Sequence, residues 1–152
     1  MKLATLCYLR RKGQTLMIHR NKKTNDIHQG KWNGLGGKFH LGETPEECVR
    51  REVKEESGYV LGKISLKGFI TFPEFDNIED WYVFVFISDD FQGEMIDSPE
   101  GDLCWIDDDK LDKLSLWEGD YIFMKWLQQP QAFSAKFTYN NQKLVDYQIV
   151  FY

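Results

Sequence analysis

A chain of 152 residues, 42% hydrophobic and 15% aromatic, can bury a core as a single domain over residues 1–152 without disulfide or metal staples. Its formal net charge of -5 excludes a protein that coats nucleic-acid phosphates with Lys and Arg, so no nucleic-acid polymer is expected as a partner; a small anion remains open if a divalent cation screens it. Cys7, Cys48 and Cys104 are odd in number and widely spaced, which speaks against a zinc site or a disulfide framework and for small buried thiols in a reducing cytoplasm.

Residues 3–9 and 14–19 read as strands joined by a turn at Lys12-Gly13. Residues 21–35 are polar and glycine-containing and read as a long loop, a length that usually serves function. A helix follows: Thr44 suits the N-cap, Pro45 the first helical position, Glu47 completes a capping box, and Gly58 stops it. Val49 and Val53, one turn apart, face a core. Residues 64–72, 81–87 and 103–106 are rich in β-branched and aromatic residues and read as strands. A second helix is predicted over 118–128, with Ile122, Phe123, Trp126 and Leu127 inward, then a hairpin of 133–139 and 144–151 turning at Asn140-Asn141. This order predicts an α/β (α+β) domain, a mixed sheet sandwiched between helices. The apolar stretches at 3–9 and 81–87 are too short for a signal-peptide core or a membrane span, so a soluble cytoplasmic protein, monomer or homodimer, is expected.

Glu52, Glu55 and Glu56 fall within one helical turn, where their charges repel. Such hard oxygen ligands suit Mg²⁺, or Mn²⁺ in its place, although a solvated acidic face would look the same in isolation. Two neighbours favour the metal: Arg51, placed to anchor a carboxylate, and the glycine-rich turn Gly34-Leu35-Gly36-Gly37-Lys38, whose backbone can approach an ion or phosphate closely.

Together, Gly37 through Glu43 and Arg51-Glu52-Val53-Lys54-Glu55-Glu56-Ser57-Gly58 resemble the Nudix box: Gly, five residues, Glu, seven residues, Arg-Glu-aliphatic-x-Glu-Glu-x-Gly-aliphatic. Only Tyr59 departs from it, standing where an aliphatic residue is usual. The resemblance implies the Nudix fold and a Mg²⁺-dependent hydrolase in which Glu52 and Glu56 bind the catalytic ion, Glu55 helps hold a further one, and the Gly36 carbonyl completes the shell. Glu43 and Arg51 would support these ligands.

Residues 31–38, Cys104-Trp105, 117–120 and Asp146-Tyr147 extend the likeness to MutT-type members that act on oxidised purine triphosphates such as 8-oxo-dGTP. By that likeness Asn33 and Asp120 would hydrogen-bond the purine edge, Trp117 would stack on the base, and Phe72 and Trp81 would wall the pocket. Lys23 and Lys38 would lie near the phosphates, and Glu100 would approach the metals. From the residues alone, Trp117 and Phe72 read equally as core, Lys23 as solvated surface, Glu100 as a turn residue, and His19, His28 and His40 as bystanders. Mammalian members carry two adjacent aspartates where this chain has Gly119-Asp120, which predicts an ionised Asp120 and a preference for guanine. Other Nudix functions remain open: hydrolysis of an ordinary or methylated nucleotide or a nucleoside diphosphate sugar, and nucleotide sensing without catalysis.

Overall fold

The computed structural model describes residues 1–152. Strand β1 (Lys2–Arg11) reverses through Lys12 and Gly13, at φ 53° and 74°, into β2 (Gln14–His19), the left-handed pair that a two-residue hairpin needs. Along most of its length β1 instead pairs in parallel with β6 (Trp81–Ser88). Outward from β6 come β5 (Ser65–Phe72), β9 (Phe133–Asn140) and β10 (Lys143–Phe151); β2 carries β3 (Trp32–Asn33) and β8 (Asp102–Asp107). These eight strands form one mixed sheet in the order β10-β9-β5-β6-β1-β2-β3, with β8 also on β2. A separate ribbon pairs β4 (Val60–Leu61) with β7 (Phe91–Gln92), two segments too short to show a period in the sequence.

Two helices cover opposite faces of the sheet, as expected. Helix α1 (Pro45–Ser57) has the complete Thr44–Glu47 capping box and ends at Gly58, φ 83°. Its Val49 and Val53 lie in a core with Cys7, Leu9, Ile18 and Phe86. Helix α2 (Glu118–Phe123) sends Phe123 into the other core, with Tyr8, Ile70, Val85 and Phe137. Adjacent strand residues point to opposite faces, so Cys7 and Tyr8 enter different cores.

Several expectations need correction. The predicted loop at 21–35 is shorter, because β3 and bridges from Leu35 to Cys7 and Lys38 to Ala4 return its end to the sheet. The predicted helix at 118–128 is α-helical only to Phe123; Met124–Gln128 tightens into a 3-10 turn, since Pro130 forces Gln129 to be extended and closes the segment. The last hairpin turns at Asn141-Gln142, φ 51° and 65°, one residue later than predicted. That register keeps Phe137 and Tyr139 on the α2 side, and a slip of one would turn them outward. Cys104 is exposed, while Cys7 and Cys48 are buried as expected, and all three are free thiols. No helix is long and apolar enough to cross a membrane.

Candidate active site

The glycine turn before α1 lies between β1 and α1 with no room for side chains. A Cβ on Gly36, whose φ is 141°, would stand 2.0 Å from the Thr5 carbonyl oxygen; one on Gly37 would stand 2.5 Å from the Glu52 carboxyl carbon. This close approach lets the Gly36 N–H donate to Glu56 Oε1 at 2.9 Å. Glu56 is 4% exposed. Burial pushes its carboxyl up to about 8; the Gly36 hydrogen bond and Arg20 pull it down, Glu52 and Glu100 push it up.

Arg51 anchors more than the one carboxylate expected of it. Its Nε and Nη2 grip Glu43 at 2.6 and 2.9 Å, Nη1 reaches Glu52 at 2.8 Å and Glu55 at 3.3 Å, and Nη2 donates to the Lys38 carbonyl at 3.0 Å. These bonds hold the Glu43 carboxyl down at about 2. The three helix glutamates are not equivalent: Glu56 is buried, Glu52 partly so, and Glu55 is 58% exposed. Across the site, Glu100 Oε1 pairs with Lys23 Nζ at 2.8 Å, and its Oε2 lies 3.6 Å from Arg20. Lys23 is thus tied to Glu100. No three acidic, His or Cys side chains converge into a ligand set by themselves, each being drawn to its own basic or amide partner.

Next to this cluster a cavity of about 150 Å³ gathers Asn33, Phe72, Trp81, Trp117 and Asp120, which lie far apart in sequence, and also reaches Gly36 and Gly37. The Asn33 Nδ2 is buried with no partner. Lys38, exposed, stands 5.5 Å over the Trp81 ring. Asp120 is 6% exposed, and burial pushes its carboxyl up to about 8, with Lys31 pulling the other way. The expectation of an ionised Asp120 is therefore overturned: loss of water, rather than a second aspartate, favours its neutral form. A side chain at position 119 has no space either, since a Cβ there would lie 2.8 Å from both the Phe137 ring and the Tyr139 hydroxyl.

Among the lining residues that sequence reasoning missed are Arg20, His28 and Phe75. Phe75 meets Trp117 edge-on at 4.8 Å, and the Trp117 indole N–H donates to His28 Nδ1 at 2.8 Å. His28 is therefore no bystander, but a histidine in a polar loop carries no local signal of that contact.

Residues 2–127 match the NUDIX domain, and they contain the glutamate helix, the glycine turn and the lining residues. The chain belongs to the Nudix family. This Nudix hydrolase is 32% identical over 144 residues to the oxidized purine nucleoside triphosphate hydrolase of Danio rerio, covering 95% of this chain and 90% of that one. It is 32% identical over 123 residues to the Mus musculus protein of the same name, covering 81% and 79%. Its fold superposes on the MutT protein from Bacillus halodurans with a TM-score of 0.87 at 30% identity, covering 98% and 97%. Nudix hydrolases generally use a divalent metal, and the donor set here fits one. Glu56 is a buried carboxyl facing two more, and a hard cation would offset both its desolvation and their repulsion.

Proposed function

We propose that this Nudix hydrolase cleaves oxidised purine nucleoside triphosphates, 8-oxo-dGTP foremost, to the monophosphate and pyrophosphate in the presence of Mg²⁺, with Mn²⁺ able to replace it. The supporting observation is the cavity beside the glutamate helix, whose lining combines aromatic side chains with Asn33 and Asp120. A flat base fits between aromatic side chains. The unpartnered Asn33 amide and the Asp120 carboxyl suit the edge of a purine. The names of the relatives point the same way.

In this reading Glu52 and Glu56 hold the ion, with Glu55, Glu100 and the Gly36 carbonyl as further ligands. Bound there, Mg²⁺ would supply charge neutralisation along the phosphates and a more acidic water. Arg51 holds Glu43 and Glu52 in place, Trp117 stacks on the base, Phe72 and Trp81 close its sides, and Lys38 and Lys23 face the phosphates. Water attacks the β-phosphorus, and the bond from that phosphorus to the bridging oxygen of the α-phosphate breaks.

A panel of 8-oxo-dGTP, dGTP and ADP-ribose at low concentration with Mg²⁺ tests the assignment. The highest kcat/KM is expected for 8-oxo-dGTP; equal or better turnover of dGTP or ADP-ribose would sink it. Hydrolysis in ¹⁸O-water is expected to label pyrophosphate and leave the monophosphate unlabelled.

A further inference from the structure

The segment between β2 and β3 contains a continuous chain of polar contacts that ends on Trp117. Arg20 Nη2 pairs with Asp26 Oδ2 at 2.7 Å. Asp26 Oδ1 accepts the His28 backbone N–H at 3.0 Å. His28 Nδ1 accepts the Trp117 indole N–H at 2.8 Å, with the two rings perpendicular and 5.8 Å apart. The loop that carries the chain is closed at its base, where Arg20 N–H donates to the Lys31 carbonyl at 2.9 Å and Gly30 N–H to the Arg20 carbonyl at 2.7 Å. The free side of the imidazole stacks on Phe75, 5.9 Å away at 23°.

We propose that Arg20, Asp26 and His28 form a brace that fixes the plane of the Trp117 indole and so sets how strictly the adjoining cavity discriminates between purine bases. This rests on the reading of Trp117 as the base platform. An indole held only by apolar contacts can tip about its side-chain bonds, whereas a hydrogen bond to its one N–H fixes which edge is turned inward. Lys31 Nζ stands 5.4 Å over the same ring. Burial, then the nearby Arg20, hold His28 down at about 4, which keeps the Nδ1 lone pair available at neutral pH. The same Arg20 Nη2 lies 3.6 Å from Glu100 Oε2, so the brace links the acidic cluster to the base platform. His28, Asp26 and Arg20 are positioning residues: they act on the base through Trp117.

The test compares His28→Phe, which keeps a ring against Phe75 but loses the acceptor, with His28→Asn, whose side-chain oxygen can stand near the place of Nδ1. In the ligand-free protein the Trp117 indole N–H resonance is expected to move upfield in His28→Phe and to return in His28→Asn. The kcat/KM ratio of 8-oxo-dGTP to dGTP is expected to fall about tenfold in His28→Phe, through KM with kcat little changed, and to recover in His28→Asn. An unmoved resonance in His28→Phe, or a moved resonance with unchanged discrimination, would overturn the brace. If His28→Phe does not fold, Asp26→Ala interrupts the same chain one link earlier and is read the same way. The resonance is measured without nucleotide, so a wild type that fails to prefer 8-oxo-dGTP refutes the substrate reading and leaves the indole comparison to judge the brace.

Discussion

Asp120 shows how much a single burial can change. Its carboxyl is pushed up to about 8, so at neutral pH the free protein holds it mostly neutral. A guanine edge offers two donors and favours the carboxylate; a 2-hydroxyadenine edge with an acceptor favours the acid. The kcat/KM ratio of 8-oxo-dGTP to 2-hydroxy-dATP is expected to rise as pH climbs from about 6 to about 9, and to lose that slope in Asp120→Asn. A flat wild-type ratio would remove Asp120 from base recognition. The same shift acts on stability. From the usual 3.8 to about 8 the folded state keeps a proton that the unfolded chain has released, so this group makes stability fall as pH rises through that window. His28 works in the opposite direction: lowered from 6.5 to about 4, it makes stability fall as pH drops between those values. Asp120→Asn is expected to raise the melting temperature more at pH 8 than at pH 5, by calorimetry. Gly119→Asp is expected to cost about 1–3 kcal/mol by overpacking against Phe137 and Tyr139, without broadening the range of bases.

Helix α1 combines local stability with a strained end. Its capping box satisfies two of the amides that every helix start leaves free, and Thr44→Ala is expected to cost about 1 kcal/mol in chemical denaturation while activity survives. Further along, Glu56 is held where its charge is disfavoured. Glu56→Gln can still accept the Gly36 N–H, so it is expected to fold, to melt higher than wild type without metal, and to lose kcat by orders of magnitude. Near-normal turnover would contradict the proposed metal role. The N-cap, the stop and the spacing of Glu52, Glu55 and Glu56 were all legible in the sequence, because a helix repeats over a few residues. That Glu56 is buried while Glu55 is 58% exposed was not legible, since the glycine turn covers one edge of the helix only once it has bonded to β1.

At the scale of the molecule, the parallel pairing of β1 with β6 and the return of residues 32–38 onto β2 and then β1 place the glycine turn between α1 and the aromatic-lined cavity. Mg²⁺ that binds only this folded arrangement stabilises it by mass action. The melting temperature is expected to climb with millimolar Mg²⁺ and to do so much less in Glu56→Gln; Ca²⁺ is expected to stabilise while supporting little turnover, because its looser shell positions water poorly. Indifference of the wild type to Mg²⁺ would count against the site.

Sequence alone determined the family, the capped helix, the β1–β2 turn and the sandwich of two helices on a mixed sheet, because each is written in neighbouring residues or in short fixed spacings. The tertiary structure decided the rest. It joined Asn33, Phe72, Trp81, Trp117 and Asp120 in one cavity, drew His28 onto Trp117, tied Lys23 to Glu100, and reversed the expected charge of Asp120. These outcomes depend on exclusion of water and on contacts between distant segments. Neither leaves a local trace: a histidine in a polar loop and an aspartate after a glycine look the same in a sequence whether they end in solvent or in a pocket.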